Sequence, residues 1–307
     1  MKESNAMPAA GIVLAAFGTT RPEALAGITR VLQRVEAALP ACRVSLAFTS
    51  NQVRRVWQRR ATDPDWLQDH PEVPPQVLAV RGPLAAIAEL QDRGLRDIVV
   101  QPLHIYAGEE FEDLKSYLAG LNAIRTIKPR WQPFRRLVLG RPALGQPGPR
   151  FPYRDDLERA ARALAGDLDA ARRRGAALVY AGHGNPFFST GVYQELQAVL
   201  RRLHDYPPVV VGVVEGSWSL DYVLEELGRL KTRQVLLKPL MLVAGEHARC
   251  DLCGEEPESW RKVLQEQDYE VKCDLRGLGE NPAWAELYLE NLCQAAQAAG
   301  IDLQGGS

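Results

Sequence analysis

Three residues with metal-binding side chains recur at an even spacing in the second half of the chain. Glu215 follows His183 by 32 residues, and His247 follows Glu215 by 32. That interval fits one strand and one helix of an α/β unit, so the three side chains are expected at equivalent positions of successive units. Imidazole nitrogens and a carboxylate suit a borderline divalent metal such as cobalt, iron, nickel or zinc. We predict that these three residues bind one metal ion.

Each of these residues also has a purely structural interpretation. His183 stands between Gly182 and Gly184, and a histidine flanked by glycines is more often a turn residue than a ligand. The glycines themselves serve a sharp turn from strand to helix. Because all three candidates occupy equivalent positions, we favour the metal site.

The elements that must position these residues alternate along the whole chain. Short apolar runs are followed by helical patterns, which is typical of parallel sheets covered on both faces. The predicted strands are Gly11–Phe17, Val44–Thr49, Val77–Val80, Ile98–Leu103, Leu137–Leu139, Ala177–Ala181, Val209–Val214, Val235–Leu242 and Tyr269–Cys273. The predicted helices include Glu23–Leu39, Asp155–Arg173, Val192–His204 and Leu220–Leu230. We predict a doubly wound α/β fold, in which ligands bind outside the carboxyl ends of the strands.

The two halves of the chain repeat one pattern. Residues 14–18 align with residues 180–184, and Pro102–Glu110 matches Pro239–His247 with five of nine residues identical. The offset between the copies changes by 29 residues, which predicts an insertion of about that size in the first half, between residues 50 and 102. The repeat predicts two similar domains that face each other across a cleft. The first-half counterparts of the three predicted ligands are Phe17, Thr49 and Glu110.

The length of the chain and the positions of its proline and glycine residues agree with this division. The chain has 307 residues, about twice the usual length of one domain. The segment Arg141–Pro152 is rich in proline and glycine and is the predicted linker. We therefore predict an N-terminal α/β domain over residues 1–148. The C-terminal α/β domain, residues 149–307, carries the metal ligands.

Composition excludes several classes of partner. The 37 basic and 38 acidic residues give a net charge of −1, so no overall field attracts nucleic acid or an anionic membrane. No apolar run is long enough to span a bilayer, and the start of the chain lacks a signal-peptide pattern. Five cysteines are too few for a secreted disulfide framework, and their odd number agrees with a reducing compartment. We expect a cytoplasmic protein with a small-molecule partner.

Several motifs together resemble a known enzyme family. In the second half they are Gly182-His183-Gly184, Val214-Glu215-Gly216, Pro239–Ala248 and Gly277–Pro282, and in the first half Leu103–Ile105 and Gly108–Glu112. This combination resembles the anaerobic-pathway sirohydrochlorin cobaltochelatases, which are CbiK-like class II chelatases. The resemblance runs from about Gly11 to the last predicted helix. It implies two similar α/β domains with tetrapyrrole and metal in the cleft between them.

The resemblance also implies a reaction and roles for single residues. Cobalt(II) would be inserted into sirohydrochlorin with release of two pyrrole protons, on the route to cobalamin. His183 and His247 match catalytic, metal-binding histidines, Glu215 matches a carboxylate seen at the metal site, and Glu110 matches a first-domain acid implicated in activity. No cofactor is implied beyond the substrate metal cobalt(II), with iron(II) and nickel(II) as alternatives in vitro. The expected partners are sirohydrochlorin and a divalent metal, without nucleic acid or membrane; the oligomeric state, a homo-oligomer included, is left open.

Two other functions remain open. Iron insertion into the same ring, for sirohaem, needs the same ligand set, because imidazole and carboxylate bind both metals. A non-catalytic protein that binds metal or tetrapyrrole would also need a cleft with these residues. Substrate carboxylates require local basic groups, for which Arg54 and Arg55 are candidates, although surface arginines are the commoner explanation.

Further histidines and cysteines carry no single interpretation. His247, Cys250 and Cys253 have a spacing that would suit a soft-metal site, but no fourth ligand is evident and Cys273 lies on a predicted strand about one unit away. Polar loop cysteines are the alternative. His104 has a methionine as its counterpart in the repeat, which indicates a packed strand end, while a role in binding tetrapyrrole or haem stays open.

Overall fold

The structure, a computed structural model, describes residues 9–186, 190–245 and 248–305. The strands of the first half are β1 (Gly11–Ala16), β2 (Arg43–Phe48), β3 (Asp97–Pro102) and β4 (Arg136–Leu139). Those of the second half are β5 (Ala177–Gly184), β6 (Val209–Glu215), β7 (Gln234–Pro239) and β8 (Glu270–Cys273). They form two parallel sheets of four strands, ordered β2-β1-β3-β4 and β6-β5-β7-β8. The identical order confirms the predicted fold class of two similar doubly wound units.

Helices connect the strands and cover the sheets. In chain order they are α1 (Ala26–Ala38), α2 (Asn51–Arg60), α3 (Pro64–Asp69), α4 (Pro75–Leu78), α5 (Pro83–Asp92), α6 (Glu109–Asn122), α7 (Tyr153–Ala163), α8 (Ala165–Arg174), α9 (Gly191–Leu203), α10 (Leu220–Gly228), α11 (Trp260–Glu266) and α12 (Pro282–Ala298). A π-helix spans Ala248–Leu252. Within the described ranges, no helix combines the length and the apolar character needed to cross a membrane.

Burial on both faces explains why the strands have apolar sequences. Every residue of β1 and β3 is buried, as expected for parallel strands with helices above and below the sheet. The covering helices are amphipathic, and α1 buries Ile28, Val31, Leu32 and Val35 along one stripe. One apolar cluster includes Leu14 of the first sheet and Leu178 of the second, so the two units share a core.

The last helix crosses back onto the first half of the molecule. α12 packs against α1 and β3. Its Trp284 and Tyr288 are fully buried, and the Tyr288 hydroxyl lies 3.2 Å from the carbonyl oxygen of Leu103. Asn281 caps the helix by accepting a hydrogen bond from the Ala283 amide, and Pro282 occupies the first turn. The helix therefore fixes the two units relative to each other.

The predicted linker is a packed connection rather than a solvated one. The segment Arg141–Pro152 joins β4 to α7, but residues 141–145 are buried. Ala143 and Leu144 belong to the shared core, and Arg141 forms a buried ion pair with Asp156. The proline and glycine residues correctly indicate a connection between two elements, and the apolar residues between them pack this connection against the rest of the protein.

The insertion in the first half is confirmed, but one of its elements differs from the prediction. Four helices, α2 to α5, lie between β2 and β3, where the second half has only α10 between β6 and β7. The predicted strand Val77–Val80 is wrong, because Pro75 begins the short helix α4 there. Only Arg81 forms an isolated bridge, with Ala47 of β2. The predicted helix Asp155–Arg173 is divided at Leu164 into α7 and α8.

Candidate active site

Two of the three predicted metal ligands lie side by side at the carboxyl edge of the second sheet. β5 and β6 are paired with Gly184 opposite Glu215, which places His183 next to that carboxylate. The distance from His183 Nδ1 to Glu215 Oε2 is 4.0 Å, and the side chains are 45% and 47% exposed. Both groups are therefore close together and open to a ligand.

The surroundings of His183 Nδ1 favour one tautomer of the imidazole ring. Nδ1 lies 3.1 Å from the carbonyl oxygen of Gly184 and faces the Glu215 carboxylate. Both are hydrogen-bond acceptors, which favours the tautomer with the proton on Nδ1. Nε2 then carries the lone pair and is the nitrogen that can bind a metal ion or a proton.

A glycine allows the two strand ends to approach this closely. Gly184 has a φ of +79°, which a residue with a side chain rarely adopts. A Cβ at this position would collide with the carbonyl oxygen of Glu215. The turn and the candidate metal site therefore depend on the same residue, and the two interpretations of the glycine motif are compatible.

The third predicted ligand, His247, lies outside the described residues. The chain is described up to Gly245 and again from Ala248, beyond the carboxyl end of β7. β7 is the other neighbour of β5, so this segment leaves the sheet at the same edge as His183. Within the ranges that the structure describes, no three His, Cys, Asp or Glu residues are gathered as a metal site. Coordination by His183, Glu215 and His247 together stays a prediction.

Carboxylates of the first half approach the same place. Glu110 is exposed in the first turn of α6, where the helix dipole favours an acidic side chain. The preceding residue, Glu109, accepts a hydrogen bond of 3.3 Å from the side-chain amide of Asn185, which joins the two halves just after His183. The rim of the first sheet therefore contributes negative charge to the edge that carries His183 and Glu215.

A tyrosine that the sequence analysis did not select lies among these acids. Burial raises the pKa of Tyr106 to about 12, and the negative charges of Glu110, Glu109 and Glu215 act in the same direction. The Tyr106 ring packs on Tyr193 with centroids 5.3 Å apart. Its hydroxyl therefore stays protonated at neutral pH, within electrostatic reach of acids from both halves. Its place inside the repeated motif Pro102–Glu110 was the only available signal.

Comparison with known proteins identifies the family. The sequence matches the family model described as cobalt chelatase (CbiK) over residues 10–297. The chain belongs to the CbiK cobalt chelatase family. It is 32% identical over 290 residues to the sirohydrochlorin cobaltochelatase CbiKC of Nitratidesulfovibrio vulgaris (strain Hildenborough), covering 94% of this chain and 91% of the relative. It is 27% identical to the sirohydrochlorin cobaltochelatase of Salmonella typhimurium, covering 94% and 97%.

Solved structures share the fold. SirB from Bacillus subtilis with Fe³⁺ has a TM-score of 0.59 and 14% identity, covering 96% of this chain and 99% of that one. The cobalt complex of the sirohydrochlorin chelatase SirB from Bacillus subtilis subspecies spizizenii has a TM-score of 0.57, also at 14% identity, covering 95% and 99%. At this identity the similarity concerns the arrangement of the sheets and helices.

In this CbiK family member, the first-half counterparts of the predicted ligands are residues of different chemical types. Phe17, opposite His183 in the repeat, follows β1 and is 50% exposed. Thr49, opposite Glu215, has a buried hydroxyl without a hydrogen-bond partner among the described residues. The edge of the second sheet therefore carries an imidazole and a carboxylate, and the corresponding positions of the first half carry an apolar ring and a buried hydroxyl.

His104 is packed in this chelatase, as its methionine counterpart indicated. Both ring nitrogens are buried and have no hydrogen-bond partner in the described part of the chain. Burial lowers the pKa of His104 to about 4, so the ring is neutral at physiological pH. The predicted packed strand end is thus what the structure contains.

The cysteines of this CbiK family chain do not form the soft-metal site left open above. Cys253 is joined to Cys273 in a disulfide, which removes its thiolate as a ligand, and Cys250 is an exposed residue outside that disulfide. Cys253 directly follows the π-helix, and Cys273 ends β8. The bond therefore fastens the segment after His247 to the edge of the second sheet. The sequence placed Cys273 nearby but did not predict this pairing, and the disulfide runs against the reducing compartment expected from the cysteine count.

One of the two arginines considered for substrate carboxylates is already engaged in the chelatase. The Arg54 guanidinium donates to the carbonyl oxygens of Phe48 and Thr49 and to the side-chain oxygen of Asn51. These bonds hold the end of β2 against α2. Arg55 is exposed on α2.

Proposed function

We propose that this protein is a sirohydrochlorin cobaltochelatase of cobalamin biosynthesis. Membership of the CbiK family supports this function, together with the curated names of both relatives. The observation in the structure that carries it is the pairing of His183 with Glu215 at 4.0 Å on an open strand edge. In the reaction, cobalt(II) enters the ring and two pyrrole N–H protons leave, so the charge is balanced without an oxidant or reductant.

The metal is held by groups that can also release it. The Nε2 lone pair of His183 and the Glu215 carboxylate displace water from the incoming cobalt(II), and His247 is the proposed third ligand. A neutral imidazole suits this task because it binds metal near neutral pH and exchanges it for a proton. Transfer to four pyrrole nitrogens then frees the protein ligands.

The two released protons need acceptors. His183 or His247 serves as base once the metal has left it, and Glu215 relays the proton to solvent. Glu110 approaches from the other half of the molecule. Tyr106 stays protonated near these acids, because burial and their negative charges raise the pKa of its hydroxyl to about 12.

The chain architecture supports further parts of this proposal. We infer a boundary near residue 148, with residues 1–148 as the N-terminal unit and residues 149–307 as the unit carrying the ligands. α12 belongs to the second unit by sequence but packs on the first sheet, so one helix crosses that boundary. We also infer a cytoplasmic enzyme whose partners are the tetrapyrrole and the metal.

The test follows the absorbance of sirohydrochlorin with cobalt(II) and purified protein. We expect insertion faster than in the protein-free control, and large losses for His183→Ala, His247→Ala and Glu215→Gln. His70→Ala is the matched control, since His70 stacks on Trp66 in the insertion. A rate equal to the protein-free control at every pH would overturn the proposal. Faster insertion of iron(II) than cobalt(II) would favour the ferrochelatase, and tight binding with release of unchanged ligand would favour the non-catalytic protein.

A further inference from the structure

The two halves meet through a pair of contacts that the internal repeat relates to each other. Thr19 follows β1, and a Cβ on Gly245, which follows β7, would lie 3.6 Å from its Oγ1. The side-chain amide of Asn185, after β5, donates a hydrogen bond of 3.3 Å to Glu109 at the start of α6, after β3. Thr19 and Asn185 are counterparts at the same offset as residues 14–18 and 180–184, and Gly245 is the counterpart of the residue before Glu109. The carboxyl edges of the two sheets therefore face each other about an approximate twofold axis.

Phe17 and His183 occupy equivalent places beside this axis. Phe17 follows β1 and His183 lies at the end of β5, and these two strands hold the same place in the order of their sheets. Each residue stands two positions before the contact of its own half, Thr19 or Asn185. The two side chains therefore approach the cleft from opposite halves.

The backbone around Phe17 is held firmly by neighbouring elements of the first half. The Thr49 amide, which follows β2, donates a hydrogen bond of 2.7 Å to the carbonyl oxygen of Ala16. The Trp57 indole, on α2, donates a buried hydrogen bond of 2.7 Å to the carbonyl oxygen of Thr19. Because the chain is fixed on both sides of Phe17, little backbone freedom is lost when a ligand covers its ring.

The exposed phenyl ring suits a flat, conjugated ligand. Phe17 is 50% exposed, whereas every residue of β1 before it is buried. An aromatic ring stacks on a flat conjugated system and gains free energy when its apolar surface is covered. Unlike the imidazole of His183, a phenyl ring has no lone pair with which to bind a metal ion or a proton. Its chemistry at this position is therefore contact with an apolar face.

We propose that the flat face of the tetrapyrrole packs on Phe17, which holds in the first half the place that His183 holds in the second. The inference rests on the proposed function and names a residue that orients its substrate. Apolar contact from the first half holds the ring, while His183 and Glu215 of the second half hold the metal. Binding the ring and binding the metal thereby depend on side chains of different halves.

Equilibrium binding of metal-free sirohydrochlorin, followed by its fluorescence, tests this contact without requiring turnover. We expect Phe17→Ala to raise the dissociation constant about tenfold, because both the burial of a phenyl ring and its stacking are lost. Phe17→Tyr keeps the aromatic face and should bind within about twofold of the wild type, whereas Phe17→Leu should lie between the two. Trp131→Ala is the control, since it removes an exposed aromatic side chain before β4, at the opposite edge of the first sheet.

Steady-state insertion of cobalt(II) separates a lost contact with the ring from a damaged metal site. Phe17→Ala should raise the KM for sirohydrochlorin about tenfold and leave kcat at saturating sirohydrochlorin within about threefold, because the metal ligands are untouched. A fall in kcat with an unchanged KM would overturn the inference.

Two binding results would also overturn it: affinity of Phe17→Ala within about twofold of the wild type, or equal losses in Phe17→Tyr and Phe17→Ala. If the wild type inserts cobalt(II) while Phe17→Ala binds sirohydrochlorin normally, only the inference fails. If the wild type does not bind sirohydrochlorin, the proposed function fails with it.

Discussion

Asp156→Asn should strongly destabilise the protein. The Asp156 side chain is 1% exposed and accepts hydrogen bonds from Arg141 at 2.6 and 2.8 Å and from Arg159 at 2.6 Å. Arg141 is itself only 5% exposed and also donates to Gln294 of α12 at 2.6 Å. The asparagine leaves the buried Arg141 charge uncompensated, which costs about 3–5 kcal/mol. At about 2 °C per kcal/mol for a chain of this size, the melting midpoint falls by roughly 6–10 °C.

Urea unfolding monitored by circular dichroism and thermal melting measures this loss. The matched control is Asp155→Asn, the same substitution on the adjacent and exposed residue of α7. The control should change the free energy of unfolding by no more than about 0.5 kcal/mol. If both variants lose the same stability, the buried ion pair does not hold the connecting segment and α12 together, and the reasoning is refuted.

Three further predictions concern other parts of the molecule. Cys253→Ser opens a disulfide that spans 20 residues, so the free energy of unfolding should fall by about 3 kcal/mol in the absence of reductant. Cys250→Ser is the control and should leave the free energy of unfolding unchanged. Equal melting curves of the wild type with and without reductant would show that the disulfide does not form. The pKa of His104 is lowered to about 4 from 6.5, so its neutral ring stabilises the fold above pH 6.5, and about 3 kcal/mol is lost as the pH falls through 6.5 toward 4. His104→Met should flatten this part of the stability curve, and an unchanged slope would show that another group titrates. Gly184→Ala should abolish most cobalt insertion, because the added methyl group would collide with the backbone of β6 and the φ of Gly184 is positive. Gly228→Ala is the control, since a Cβ there meets open space. Equal activities of the two variants would show that the active site does not depend on the turn at Gly184.

The fold was predictable because its periodicity is simple. Parallel strands buried on both faces appear as apolar runs, and their even spacing placed His183 and Glu215 at equivalent strand ends. The internal repeat added the order of the elements, since the first and second sheets are built alike. These are local properties of the chain, so they survive in the sequence.

What could not be predicted depends on contacts between distant residues. The run Val77–Val80 has the composition of a strand, and a short apolar run does not distinguish a strand from a buried helical turn. The pairing of Cys253 with Cys273 requires their Cα atoms to lie 6.4 Å apart, which spacing does not reveal. The raised pKa of Tyr106 depends in part on acids from both halves, and those acids come together only in the folded molecule.

The return of α12 to the first sheet has a consequence for biosynthesis. Synthesis runs from the N-terminus, so β1 to β4 leave the ribosome long before the helix that covers them. Trp284 and Tyr288 supply buried surface to that early half, which stays incompletely shielded until translation is nearly finished. The two units of the nascent chain therefore cannot complete their folding one after the other. A chain that stops before Pro282 would lack the helix that covers the first sheet, and chaperones and proteases would act on both of its units.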